Sequence, residues 1–139
     1  MASLILEIIT PSKVSFKGEL ISVTIPGTEG SFQVLKNHAP LMSTFEIGVV
    51  KIVLPDQTEK YYSTGGGTVE ILDNHVLVLA DSHEAVEEID VNRATNAKER
   101  AEDRLAHKTE TLDVERAERA LKRALNRLQL VEKHIRAEV

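Results

Sequence analysis

The first 85 or so residues alternate between short apolar runs and turn-forming residues. Polar side chains interrupt several of the runs at every second position, as Ser22 and Thr24 do between apolar neighbours. The apolar runs fall at residues 4–9, 21–25, 32–34, 45–54, 61–62, 69–71 and 76–79. Strand-length runs separated by Pro, Gly, Asn and Asp are typical of antiparallel β structure. We therefore predict an N-terminal antiparallel β-sandwich or flattened barrel, without the helical crossovers of a parallel sheet.

The pattern after residue 88 has a helical period instead. Asp90 is a plausible N-cap for a first helix, and Asp113 caps a second helix after a connection at residues 107–112. The first helix carries a narrow apolar stripe at Ala94, Ala97, Ala101 and Leu105. The second carries a seam with alternating spacings of three and four, at Val114, Ala117, Leu121, Ala124, Leu128, Val131 and Ile135. We predict a C-terminal two-helix antiparallel hairpin in which small alanines allow close approach.

Composition supports two units within the 139 residues. Residues 1–88 have a net charge of −7, whereas residues 89–139 contain all eight Arg and have a net charge of +2. Gly, Pro, Phe and Tyr are confined to the first 67 residues. We place the sandwich at 1–86 and the helical unit at 87–139. Because no apolar run is long enough to span a bilayer and the N-terminus lacks a basic leader, we expect an intracellular chain, at most on the membrane surface.

Most chemistry-bearing patterns have structural explanations. Gly65-Gly66-Gly67 is followed by a strand-like run instead of Lys and Ser or Thr, so a sheet irregularity is favoured over a phosphate loop. The five His lack metal-ligand spacing, and with no Cys we expect no metal site. His38 either binds a partner or satisfies its own turn. No nucleophile and base can be paired, which disfavours an enzyme.

The arginines of the second helix are more informative. Arg119, Arg123 and Arg127 recur every four residues and point the same way. The neighbouring helical positions of Arg123 and Arg127 carry no carboxylate. Together with Arg93 and Arg100 of the first helix, they could form a pocket for a polyanion, since guanidinium groups suit phosphate. A solvated face is the equally weighted alternative. Nucleic acid is not expected, because the chain is acidic overall.

Several segments resemble one known family. The segment from Ile25 to Leu41, IPGTEGSFQVLKNHAPL, is similar to the signature region of the epsilon subunit of F-type ATP synthase. Further similar segments are Thr10-Pro11, residues 16–19, residues 65–70 and residues 76–80. The resemblance covers nearly the whole chain, in the order β unit and then helices.

This resemblance implies a ten-stranded β-sandwich followed by two helices. It also implies a non-catalytic, coupling and regulatory part of the rotor, at the cytoplasmic face of the membrane as a peripheral protein. Its expected partners are the gamma subunit, the c-subunit ring and, when the hairpin extends, the alpha/beta catalytic hexamer. The loops expected to face the c ring contain Glu29, Ser31 and His38.

The resemblance further implies that ATP acts as a regulatory ligand, with no obligatory cofactor. The run IDVNRA at residues 89–94 matches an ATP-binding motif found in bacterial members. Expected ATP contacts are Glu84, Ile89, Asp90, Arg93, Ala94, Arg100, Arg123 and Arg127. We expect a folded, ATP-bound hairpin and an extended, inhibitory one. Two alternatives are a free-standing nucleotide-binding module and a small β-domain enzyme with a helical oligomerisation tail.

Overall fold

The computed structural model describes residues 3–107, 109 and 113–138, with only the backbone of residues 135–138. The chain divides into two compact units, Met1–Ala85 and Val86–Val139. Among the described residues, the first unit contains eight strands: β1 (Leu4–Ile9), β2 (Val14–Leu20), β3 (Ser22–Ile25), β4 (Phe32–Leu35), β5 (Leu41–Val53), β6 (Glu59–Leu72), β7 (His75–Ala80) and β8 (His83–Ala85). The second contains a 3₁₀ turn (Val86–Glu88) and two helices, α1 (Val91–Ala106) and α2 (Val114–Glu138).

The strands follow the order β2-β1-β7-β6-β5-β3-β4, and β8 pairs with β6. Strands β1 and β7 run parallel, with Ile5 opposite His75 and Ile9 opposite Leu79. The other strand pairs that the structure describes are antiparallel. The predicted sandwich is confirmed, with one parallel pairing that the sequence pattern did not indicate.

The described part of the chain contains eight strands and not the expected ten. The difference arises because β5 and β6 are long continuous strands. Their N-terminal and C-terminal halves have different neighbours: β6 pairs with β8 at residues 62–64 and with β7 at residues 67–72. Strand β5 likewise pairs with β3 only at residues 51–53. Each long strand therefore contributes to both layers of the sandwich.

The change of layer occurs at the three glycines. Phe45 is opposite Gly67 and Ile47 is opposite Gly65, whereas Glu46 and Gly66 fall outside the regular register. Gly66 has a φ of 92°, in the region that favours glycine. A Cβ on Gly67 would collide with the carbonyl oxygen of Leu79. The three glycines thus form a sheet irregularity, as predicted, and not a phosphate loop.

One apolar cluster fills the sandwich. Strand β1 alternates buried and half-buried residues along its whole length, as the period of a strand requires. Both layers contribute side chains that are almost fully buried: Leu6, Ile8, Val69, Ile71, Val76 and Val78 from one, and Val23, Ile25, Val34, Val50 and Ile52 from the other. Ile21, which the alternation placed in a strand, instead lies between β2 and β3 and is exposed.

Both helices begin where the sequence predicts. The carboxylate of Asp90 accepts a hydrogen bond from the backbone N–H of Arg93 at 3.1 Å. Asp113 accepts the equivalent bond from Arg116 at 3.0 Å. These contacts satisfy one otherwise unpaired N–H at each helix start. Part of the predicted connection between the helices, Lys108 and residues 110–112, lies outside the described residues.

Helices α1 and α2 pack against each other. The contact buries Ala94 and Ala101 of α1 and Ala117 and Ala124 of α2. The remaining seam residues of α2 whose side chains are described are half-buried: Val114, Leu121, Leu128 and Val131. The side chain of the last predicted seam residue, Ile135, lies outside the described residues.

Leu130 is buried although the seam spacing leaves it out. Helix α2 contacts the 3₁₀ turn at Val86–Glu88 as well as α1. Heptad spacing alone does not reveal this second contact. No helix among the described residues has the length and apolar character needed to cross a bilayer.

Candidate functional site: arginine flank of the helical unit

Most of the predicted nucleotide contacts lie in the helical unit, and four surround the start of α1. Ile89 and Ala94 are buried, whereas Asp90 and Arg93 are exposed. The Asp90 carboxylate caps the helix through the Arg93 N–H, so its position is fixed relative to the first turn. Arg100 follows Arg93 by seven residues, which places both on one side of α1.

The alanine seam fixes where the arginines of both helices lie. Arg93 and Arg100 each precede a buried seam alanine, at Ala94 and Ala101. A step of one residue turns a side chain by about 100° from the seam, so both arginines lie on the same flank of α1.

The same geometry applies to α2. Arg123 precedes the buried Ala124 by one residue, and Arg127 follows it by three. Both positions are on one flank of α2, and both arginines are half-buried. In an antiparallel pair, the flanks of the same rotational sense face the same way. Arg93, Arg100, Arg123 and Arg127 therefore share one side of the hairpin, which we call the arginine flank.

The arginine flank and the start of α1 have opposite electrostatic character. The Asp90 carboxylate occupies the end of the helix where backbone N–H groups would otherwise attract an anion. A phosphate is disfavoured there, whereas hydroxyl or amino donors are favoured. Phosphate groups are favoured along the arginine flank, where guanidinium groups offer bidentate hydrogen bonds. The arrangement suits a ligand with a polyanionic end and a hydrogen-bond-donating end.

Glu84, the remaining predicted nucleotide contact, belongs to the sandwich unit. It lies in β8, opposite Ser63 of β6, and is half-buried. Its pairing with β6 holds its backbone in the sheet. The sequence did not indicate β8 as a strand, because a three-residue strand is too short to show alternation.

The loops expected to face a c ring lie at opposite ends of the edge strand β4. Glu29 and Ser31 are exposed in the turn before β4, and His38 is half-buried in the loop after it. The Nδ1 of His38 lies 2.7 Å from the carbonyl oxygen of Ala39. The His38 ring thus makes a hydrogen bond within its own loop, which agrees with one of the two interpretations of the sequence. A surface that includes all three residues would also include the outer edge of β4.

The sandwich also exposes an apolar face that sequence reasoning missed. Strands β1, β5, β6 and β7 contribute outward-facing apolar side chains to one layer, and Met42 is 79% exposed. We call this surface the outer patch; its apolar side chains are those of Ile5, Met42, Leu72, Leu77 and Leu79, and the carboxylates of Glu7 and Glu70 lie among them. The signal was present in residues 76–79, which are apolar at every position. A strand with one solvated face would alternate, so a continuous apolar run indicates that both faces are covered.

Comparison with known protein families matches both units. Residues 3–86 match the beta-sandwich domain of the ATP synthase delta/epsilon chain. Residues 87–132 match the long alpha-helix domain of the same chain. Together the two matches extend over most of the 139 residues.

Curated bacterial relatives and solved structures agree with these matches. The ATP synthase epsilon chain of Pelotomaculum thermopropionicum is 51% identical over 104 residues, covering 75% of this chain and 77% of the relative. That of Syntrophomonas wolfei is 39% identical over 132 residues, covering 95% and 96%. A chain of the Euglena gracilis mitochondrial ATP synthase has the same fold, with a TM-score of 0.76 at 22% identity over 88% of this chain and 77% of that one. The chain therefore belongs to the family of ATP synthase delta and epsilon chains.

Proposed function

We propose that this epsilon subunit is a non-catalytic regulator of its F-type ATP synthase that senses ATP through its helical unit and inhibits ATP hydrolysis when ATP is scarce. The observation that carries the proposal is the arginine flank. Four arginines from two helices share one side of the hairpin, and the i±3 and i±4 neighbours of Arg123 and Arg127 include no carboxylate. Such a concentration of positive charge favours a ligand with several negative charges.

ATP fits this arrangement in one orientation. Arg123 and Arg127 are half-buried beside the seam, so their guanidinium groups bind the phosphates at the point where the two helices meet. Arg93 and Arg100 extend the same charge along α1. Asp90 accepts hydrogen bonds from the adenosine end, beside Ile89 and Ala94.

The ligand acts by shifting a balance between two arrangements of the hairpin. The contact between α1 and α2 is built largely on alanine, which buries little apolar area and contributes little stability. ATP at 100 times its dissociation constant stabilises the form that binds it by about 2.7 kcal/mol. That increment is enough to change the population of a marginal compact form. Without ATP the helices extend toward the catalytic hexamer and block hydrolysis.

The sandwich unit attaches this switch to the rotor. The outer patch supplies an apolar surface of the kind that marks protein–protein contact, and we assign it to the gamma subunit. The loops that contain Glu29, Ser31 and His38 face the c ring. The subunit thus works at the cytoplasmic face of the membrane as a peripheral protein, coupled to proton transport through the complex.

Calorimetric titration of the full chain with ATP tests the binding half. Removing both Arg123 and Arg127 as an R123A/R127A variant is expected to weaken ATP binding at least a hundredfold, because each charged hydrogen bond contributes about 1.5–3 kcal/mol. Lys122→Ala is a matched control, since Lys122 is a cation exposed on the same helix and lies about 160° from the seam at Ala124, away from the arginine flank. Binding in the double variant as tight as in the wild type would refute the arginine flank as the phosphate site.

Hydrolysis by the reconstituted complex tests the regulatory half. Removing residues 89–139 is expected to raise the hydrolysis rate at low ATP and to leave it unchanged at high ATP. The R123A/R127A variant is expected to stay inhibited at ATP concentrations that relieve the wild type. Equal rates with and without the helical unit at low ATP would contradict inhibition while leaving nucleotide binding intact.

A further inference from the structure

The short strand β8 is the last element of the sandwich before the helical unit. It consists of His83, Glu84 and Ala85, which lie opposite Thr64, Ser63 and Tyr62 of β6. The residue before it is firmly held: the carbonyl of Ser82 accepts hydrogen bonds from the Gly65 N–H at 2.9 Å and from the Thr64 hydroxyl at 3.1 Å. The 3₁₀ turn begins directly after β8. Three residue pairs thus decide where the chain leaves the sandwich.

His83 is the buried anchor of this strand. Its side chain is only 5% exposed, and its ring stacks on Tyr62 with centroids 4.3 Å apart. Both ring nitrogens are buried, and in the part of the chain that the structure describes neither has a hydrogen-bond partner. A neutral imidazole stacks favourably in such a site. An imidazolium there would be a buried cation without a compensating carboxylate, which is costly.

The groups that face the ring reinforce this preference. Tyr62 of β6 presents its aromatic ring, and Thr64 lies opposite His83 in register and has no charge. Lys13, from the connection between β1 and β2, adds a positive charge that opposes protonation. Burial and then Lys13 lower the pKa of His83 from 6.5 to about 4.

We propose that β8 is a proton-sensitive clasp, in which protonation of His83 releases the strand from β6 and moves the exit point of the chain back to Ser82. Opening frees three residues, which at about 3.3 Å per residue lengthens the tether to the helical unit by roughly 10 Å. Ser82 remains bonded to Gly65 and Thr64, so it is the pivot. The clasp belongs to the sandwich, and its opening can be measured on the chain without nucleotide.

The direction of the pH effect follows from the linkage between protonation and opening. In the closed strand the pKa of His83 is about 4, whereas in the open strand it returns to about 6.5. The closed form is fully favoured above pH 6.5, and the preference is lost as the pH falls from 6.5 toward 4. With these two values, the opening equilibrium constant at pH 5 exceeds that at pH 7.5 on the order of thirtyfold.

Amide hydrogen exchange of the full chain between pH 7.5 and 5 tests the clasp. The alternation of antiparallel pairs places the Glu84 amide in the hydrogen-bonded pair with Ser63. After correction for the intrinsic exchange rate, the protection of the Glu84 amide is expected to fall about thirtyfold, while Val76 and Val78 of β7 keep theirs. The matched variant His83→Phe keeps a ring to stack on Tyr62 but has no titrating nitrogen. Its β8 protection is expected to be independent of pH. The same fall in His83→Phe, or no fall in the wild type, would overturn the proposal.

A second measurement does not depend on how any variant folds. The ring protons of His83 in the wild-type chain can be titrated by NMR. A midpoint well below pH 6.5, reached together with the loss of β8 protection, supports the clasp. A midpoint at 6.5 with protection unchanged means that the ring ionises in place and contradicts the clasp. Neither result bears on ATP binding, so this test and that of the arginine flank fail independently.

Discussion

Asn37 and Asn74 join two loops of the sandwich that are far apart in sequence. The backbone N–H of Asn37 donates to Oδ1 of Asn74 at 2.6 Å, and Nδ2 of Asn74 reaches Oδ1 of Asn37 at 3.4 Å. Both residues have positive φ, 67° and 62°. The carbonyl of Asn74 also accepts the Ile5 N–H at 2.8 Å, at the start of β1. Asn74 therefore ties the β4–β5 loop, the β6–β7 turn and β1 together.

Replacing Asn74 separates its two roles. Asn74→Gly keeps the positive φ and the backbone bond to Ile5 but removes the side-chain acceptor, so we expect a loss of about 1 kcal/mol in the free energy of unfolding. Asn74→Ala adds the cost of a positive φ for a residue with a Cβ, and we expect a further loss of about 1 kcal/mol. Denaturant unfolding of both variants measures the two terms. Equal stability of Asn74→Gly and the wild type would show that the Asn37 contact contributes nothing.

Local signals were sufficient for the helices and insufficient for the sheet. Asp90 and Asp113 predicted both helix starts correctly because a cap acts within three residues of its own position. The parallel pairing of β1 with β7 joins residues about seventy positions apart, and nothing within either strand encodes it. The merging of the expected strands into β5 and β6 depends on the register across Gly66, which is also a non-local property.

The change of layer at the three glycines can be tested by a substitution at Gly67. A Cβ there would collide with the Leu79 carbonyl, which is backbone and cannot rotate away. We expect Gly67→Ala to destabilise the chain by about 3 kcal/mol or more, since the β6–β7 pairing must shift. Thermal unfolding measures the change.

Gly18→Ala is the matched control for Gly67→Ala. The nearest atom to its added methyl would be a ring carbon of Phe16 at 3.6 Å, an ordinary contact. We expect a change within about 0.5 kcal/mol of the wild type. A similar loss of stability in both variants would mean that any side chain added to these strands is destabilising. Gly67 would then have no specific role.

Local spacing also predicted only part of the candidate site. The four-residue spacing of Arg123 and Arg127 placed them on one side of α2 from sequence alone. Whether Arg93 and Arg100 share that side depends on which residues the helices bury, and the buried alanines settle it. Leu130 shows the limit of spacing, because it is buried although the seam spacing leaves it out.

The outer patch predicts a variant that loses its partner but keeps its fold. Met42 is 79% exposed and Leu79 47% exposed, so replacing both with Gln removes few buried contacts. We expect the free energy of unfolding to change by less than about 0.5 kcal/mol per site, and binding to the gamma subunit to weaken at least tenfold. A pull-down with the gamma subunit, together with unfolding of the free chain, measures both quantities.

Leu35→Gln is the matched control for the patch. Leu35 is 49% exposed on β4, in the other layer of the sandwich, so the substitution removes a comparable exposed apolar side chain. Its binding to the gamma subunit is expected to equal that of the wild type. If the M42Q/L79Q variant also binds normally, the outer patch is not the docking surface, although the family assignment stands.

The two helix caps allow the nucleotide role of Asp90 to be separated from its structural role. Asn is as good an N-cap as Asp, so Asp90→Asn and Asp113→Asn should each keep the helix content measured by circular dichroism. If Asp90 accepts hydrogen bonds from the adenosine end as proposed, we expect Asp90→Asn to weaken ATP binding about tenfold or more, because the carboxylate becomes an uncharged amide. Asp113→Asn, at the start of α2, should bind ATP as the wild type does. Equal affinities in calorimetric titration would limit Asp90 to capping α1 and leave the arginine flank to bind the nucleotide by its phosphates alone.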